Sequence, residues 1–199
     1  MKNIIAKPWV RFIFCAVIAL LFLSCSVTKI PDFETPAVYV TNSKKVNILG
    51  SQYIIRSMDE VQLFEGIFGD RSFSMPLYIC ADKEGLYISM LNDVGTSMGE
   101  LSFDGKSVDF HSNMFPKNMK AEYIVWDIQL AFYESESVAS RLALWNLNFL
   151  VEKEDGIEVR KLMDGKKLIE EIIIEDKSVV IKNHLRGYEY HLTGVQDEL

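Results

Sequence analysis

Cysteine is scarce in this chain. Cys15, Cys25 and Cys80 are the three present, and two of them fall in or at the edge of an apolar N-terminal segment, so a disulfide framework is excluded. Histidine is no better placed: His111, His184 and His191 stand apart, without H-E-x-x-H or paired spacing, and no metal site is expected. A G-x-S-x-G elbow, a P-loop and a glycine-rich dinucleotide fingerprint are all missing, so no cofactor and no enzymatic reaction are expected. Cys80 lies in a strand-like pattern with no helix N-terminus to lower its pKa, and reads as a packed thiol. Positive charge is in deficit too. The 21 Lys+Arg against 28 Asp+Glu leave −7, which repels nucleic acid at long range. Finally, the apolar run 12–23 would span roughly 18 Å as a helix, short of the ~30 Å hydrocarbon core, and does not read as a membrane span.

What is there begins with an address. Lys2, Lys7 and Arg11 precede the run 12–23, which ends in Ser24-Cys25-Ser26; basic, apolar, then small is the order of a secretory signal peptide, assigned to residues 1–24. Leu21-Phe22-Leu23-Ser24-Cys25 resembles a bacterial lipobox, where cleavage precedes a cysteine that receives a diacylglycerol and an N-acyl chain. Such chains anchor stably, at ~0.8 kcal/mol per buried methylene. Ordinary cleavage leaving Cys25 a free thiol is the other reading, and it leaves a reactive group exposed. Removing Lys2, Lys7 and Arg11 with no acidic residue takes the net charge from −7 to −10, so the lipid, not charge, would attach the protein to a membrane. Ser26 stands where the sorting rule for inner-membrane retention calls for Asp, which favours the periplasmic face of the outer membrane. Residues 25–37 are the lipidated cysteine and a tether carrying Thr28, Pro31, Thr35 and Pro36. A single domain, 38–199, follows.

From 38 to 113 the apolar residues alternate. Phe73, Met75, Leu77 and Ile79 continue after Glu84-Gly85 as Leu86, Ile88 and Met90, and Asp104-Gly105 joins Leu101 and Phe103 to Val108 and Phe110. Asp-Gly between alternating runs predicts a hairpin. Pro76 cannot donate to a ladder, which puts its strand at an edge or a bulge. Over 119–133 the period changes: Met119, Tyr123, Trp126, Leu130 and Tyr133 form one stripe and Ala121, Val125, Ile128 and Phe132 a second, with Asn118 as N-cap. That helix must be covered on two sides, or on one side with an apolar cavity on the other. After a looser segment, 135–144, strands resume through turns at Asp155-Gly156, Asp164-Gly165 and Glu175-Asp176-Lys177 to the closing Tyr188, Tyr190 and Leu192. The fold class is α+β, a curved antiparallel sheet of about 8–11 strands forming an open half-barrel with one or two helices in its concave face.

Few polar groups break this pattern. Asp127 lies between Trp126 and Ile128 on a helix with almost no polar face, and a carboxylate buried there needs a partner, for which Arg160, Arg141 and Arg186 are candidates. Contact with a ligand headgroup and acid/base chemistry are the alternatives. The acidic tract Glu170-Glu171 to Glu175-Asp176 reads as a solvated face and strand end, and Met75, Met90, Met98, Met114 and Met119 as core or as an adaptable pocket lining.

The motif Asp127-Ile128-Gln129-Leu130-Ala131-Phe132, with Arg160-Lys161-Leu162, Gly165, Ile172, Asn183 and Gly187-Tyr188, resembles an uncharacterised lipoprotein family often encoded within aryl-polyene (xanthomonadin-like) pigment clusters. The hairpin from Val94-Gly95-Thr96 to Phe103-Asp104-Gly105 resembles it as well. Members look like relatives of the Lol-type lipoprotein carriers, whose open half-barrel encloses acyl chains. The resemblance implies a lipid-anchored protein that binds or hands over a hydrophobic ligand, with Trp126, Leu130, Ala131 and Met75 as cavity candidates. The competing expectation is a non-catalytic scaffold of an envelope assembly, with a protein partner and a filled core.

Overall fold

A computed structural model describes residues 33–113, 115 and 120–194. The expected signal segment, Cys25, Asn118, Met114 and Met119 lie outside the described residues. Residues Phe33–Leu199 group as one compact unit. Its elements run β1 (Ala37–Tyr39), β2 (Lys45–Asn47), a 3-10 turn (Ser51–Tyr53), β3 (Met58–Phe68), β4 (Arg71–Ala81), β5 (Leu86–Leu91), β6 (Ser97–Phe103) and β7 (Val108–Ser112). Then come α1 (Glu122–Phe132), α2 (Ser135–Ala143), β8 (Asn148–Glu154), β9 (Ile157–Asp164), β10 (Lys167–Glu175), β11 (Ser178–Asn183) and β12 (Tyr188–Gly194).

Ten of these strands form one open antiparallel sheet in the order β7-β6-β5-β4-β3-β12-β11-β10-β9-β8. Each half is a meander, because hairpins with short turns pair neighbours in sequence. Asp155 and Gly156, both at positive φ, make the β8–β9 turn. In the β6–β7 turn Gly105 has φ +88°, and Asp104 Oδ1 accepts from the backbone N–H of Lys106 and Ser107. The halves are joined by the last strand pairing with the first of the main sheet, Leu192 opposite Phe64 and Tyr190 opposite Gly66.

Pro76 sits in a strand that is central to the sheet, between β3 and β5. It is tolerated because β5 pairs with β4 only from Leu77 onwards, so at Pro76 the strand has a neighbour on one side alone.

The all-round apolar helix is covered on both sides. One side faces the sheet, where α1 meets β10 and β11. Over the other runs the strap 37–55, which includes β1 and β2. Gln129, wholly buried, accepts from Leu49 N–H at 2.8 Å and donates to Leu49 O at 2.7 Å, replacing the ladder partner that the strap backbone lacks. Residues 135–143, expected as a looser segment, form a second helix, which contacts β8 and buries Val138 and Leu142. Its apolar stripe is only those two residues four apart, too short a period to stand out in sequence. Among the described residues no helix is long and apolar enough to cross a membrane.

Candidate ligand cavity and its buried carboxyl pair

Between α1 and the sheet lies a cavity of about 400 Å³, a size within the ~300–1,000 Å³ of small-molecule sites. Period-two alternation builds its sheet wall, since residues two apart share the inner face: Phe64 and Phe68 on β3, Phe73, Met75 and Leu77 on β4, Ile88 and Met90 on β5, Tyr190 and Leu192 on β12. The helix contributes Tyr123, Ile124, Asp127 and Ile128, spaced 1, 3 and 1 along one stripe. Ile181 on β11, Phe115 and Lys120 complete the lining. The rings interlock: Phe68 stacks on Phe73 at 5.8 Å, Tyr188 on Tyr190 at 4.7 Å, and Phe64 packs against both Phe73 and Tyr190. Gly66 makes room for them, because a Cβ there would come within 2.6 Å of the Phe73 ring.

The lining thus carries one basic and one acidic side chain, Lys120 and Asp127. Asp127 is 1% exposed and accepts from Tyr188 Oη at 2.8 Å through Oδ2 and 3.0 Å through Oδ1. Behind it Glu170, also 1% exposed, accepts from Asn183 Nδ2 at 3.1 Å, and the same amide reaches Tyr188 Oη at 3.3 Å. Burial lifts the Asp127 carboxyl to about 7, offset in part by hydrogen bonds from Tyr188 and Glu170 and by the Arg186 charge. Glu170 is held well above the usual carboxylate range, first by burial and then by the charge of Asp127. Two buried carboxyls side by side cannot both ionise. Glu170 therefore keeps its proton, with Asp127 beside it as the acceptor. Burial and these carboxylates also raise the Tyr188 phenol, which remains a donor.

Of the residues singled out in the sequence, Met75 and Asp127 line this cavity together with Met90. Trp126 and Leu130 are buried but are not among its lining residues, and Ala131 lines a second cavity. Asp127 and Arg160 fall in separate clusters. Arg160 binds Glu158 Oε1 through Nε at 2.6 Å and donates Nη1 to the carbonyls of Leu130 and Tyr133, at 3.0 and 2.9 Å, closing the C-terminus of α1 where helix carbonyls lack partners. Arg141 bonds the strap carbonyls of Asn47 and Ile48. Arg186 acts on Asp127 through its charge alone, while its guanidinium bonds Tyr39 O and lies over the Tyr123 ring.

Glu170 departs from its expected place on a solvated face. It shares parity with Ile172 and Ile174, so the period-two pattern carried the signal. A register shift between Leu168 and Glu170 sets that parity in β10. No group of three His, Cys, Asp or Glu able to hold a metal occurs among the described residues.

Fold and cavity together define a class: an α+β protein in which an open antiparallel sheet and a crossing helix enclose an apolar, aromatic-walled space with one member of a buried carboxyl pair, Asp127, in its wall. The chain belongs to the family described as a protein of unknown function (DUF3261), whose profile matches residues 59–196. That span runs from β3 past β12 and leaves out β1 and β2. Comparison with curated proteins finds no match.

Proposed function

We propose that this protein is a lipid-anchored envelope protein that binds or hands over a hydrophobic ligand, an acyl chain, lipid or polyene-lipid, without catalysing a reaction. The observation that carries this is the cavity under α1, about 400 Å³ with aromatic and aliphatic walls. A filled core is the default for a domain interior, where voids larger than a water molecule are few. Space left between a helix and a sheet suits a long apolar guest. Anchoring through Cys25 at the periplasmic face of the outer membrane, and the tie to aryl-polyene pigment clusters, are supported by the lipobox-like segment and by the Asp127-to-Phe132 motif respectively. Binding rather than catalysis fits a wall in which Asp127 and Glu170 are committed to each other and to Tyr188.

Native mass spectrometry of the chain purified from its own cells tests the reading. A co-purifying lipid or pigment is expected, and Ile124→Trp, which puts an indole into the cavity, should expel it while the protein stays folded. Wild-type protein that carries no guest and takes up no fatty-acid probe would leave the scaffold role in its place.

A further inference from the structure

A second cavity of about 400 Å³ is lined by near neighbours, along the same strands and helix, of residues that line the first. The same elements build both. Phe64 lines the apolar cavity and Gln62 the second on β3; Leu192 and Gly194 do so on β12, and Ile181 and Val179 on β11. Residues two apart on a strand face are about 7 Å apart, so a guest in one cavity lies one residue pair from the other. The helix repeats the pattern, its stripe running from Ile124, Asp127 and Ile128 in the first to Ala131 in the second.

The chemistry changes across that step. The second cavity is lined by Arg56, Arg160, Lys177, Glu60, Glu158 and Asp176, three charges of each sign. Glu158 holds Arg160, and Glu60 accepts from Gln62 Nε2 at 2.9 Å. Exposed Arg56 and Lys177 have no carboxylate partner among the described residues, and neither does Asp176 a cation. Gln62 Oε1, an acceptor in the wall, is buried with no donor among the described residues.

We propose that this second cavity receives the polar head of an amphiphile whose chain occupies the first, and that the head joins a phosphate to a hydrogen-bond donor such as an ammonium or hydroxyl. The phosphate meets Arg56 and Lys177, and the donor meets Gln62 Oε1 and Asp176. Balanced lining charge selects against a purely anionic head, in keeping with the −7 of the whole chain. This inference rests on the reading that the apolar cavity holds a chain.

The test uses the full chain in vesicles of phosphatidylethanolamine and phosphatidylglycerol carrying a trace of photoactivatable phosphatidylethanolamine, with the diazirine either in the acyl chain or on the head. The chain probe should label Phe64 and Met75, with the labelled residue itself read out. The head probe should label Arg56, Gln62 or Lys177, and Arg56→Glu with Lys177→Glu, both at exposed positions, should cut head labelling about tenfold while chain labelling persists. Chain labelling with head labelling elsewhere, or unchanged in the double variant, would overturn the head site and leave the apolar cavity standing. No chain labelling at the cavity would remove both readings. Glycerophosphoethanolamine, a head without chains, should not compete at the head site; competition at equal concentration would assign the site to free phosphate esters and overturn the proposal.

Discussion

Raising the pH should weaken this fold across the range where most carboxylates no longer titrate, and Asp127→Asn should remove much of that dependence. Asp127 ionises near 7 in the folded protein against 3.8 normally, because it is buried, and hydrogen bonds from Tyr188 and Glu170 offset this only in part. Between those values the folded state keeps a proton that the unfolded chain has lost, so each rise in pH favours unfolding. The contribution is complete below about pH 4 and gone once the pH passes about 7, the reverse of Glu158 and Glu189, whose carboxyls their cationic partners hold low. Three pH units at ~1.36 kcal/mol each give on the order of 4 kcal/mol. That is an upper bound, since Glu170 shares the proton and takes over part of the response. The substituted amide keeps the side-chain shape and cannot ionise. Urea unfolding followed by tryptophan fluorescence, at constant ionic strength from about pH 4.5 to 8, compares the two proteins. Wild type should lose ~2–4 kcal/mol more than the variant over that range, a shift of about one to two molar in the urea midpoint. His111, His184 and His191 occur in both proteins and cancel in the difference. Parallel curves would refute the buried, proton-sharing pair.

Arg160→Met should cost ~2–4 kcal/mol in unfolding free energy, because it leaves the helix-end carbonyls of Leu130 and Tyr133 without their donor at ~1–3 kcal/mol each, while half-buried Glu158 keeps Lys153; a melting temperature within a degree or so of wild type would mean that water replaces the guanidinium. Gln129→Leu should detach the strap, leaving Leu49 N–H and C=O without partners at ~1–3 kcal/mol each, and hydrogen exchange at Leu49 is the readout. Cys25→Ala should release the protein from the membrane fraction and abolish palmitate labelling, and a variant that remains bound and labelled would disprove the lipobox assignment.

Local physics wrote much of this molecule into its sequence. Period-two alternation in Phe73, Met75, Leu77 and Ile79, and positive-φ Asp-Gly turns such as Asp155-Gly156, determine strands and hairpins because each is settled by neighbours a few residues away. The apolar stripes from Tyr123 to Phe132 determined α1 and its need for cover on two sides in the same way. Asp127 announced itself as a charge with nowhere polar to point. Its partner did not. An arginine was the chemically natural choice, yet Tyr188 and a protonated Glu170 meet it instead, because their strands, β12 and β10, are brought together only by pairing on either side of β11. Arg160 was spent at the end of α1, a use set by where that helix stops against β9. The cavity was equally out of reach of the sequence. Whether Ile124 and Met90 touch or leave about 400 Å³ between them depends on how far the strap and α2 hold the helix from the sheet, a distance that long-range packing sets and no local pattern encodes.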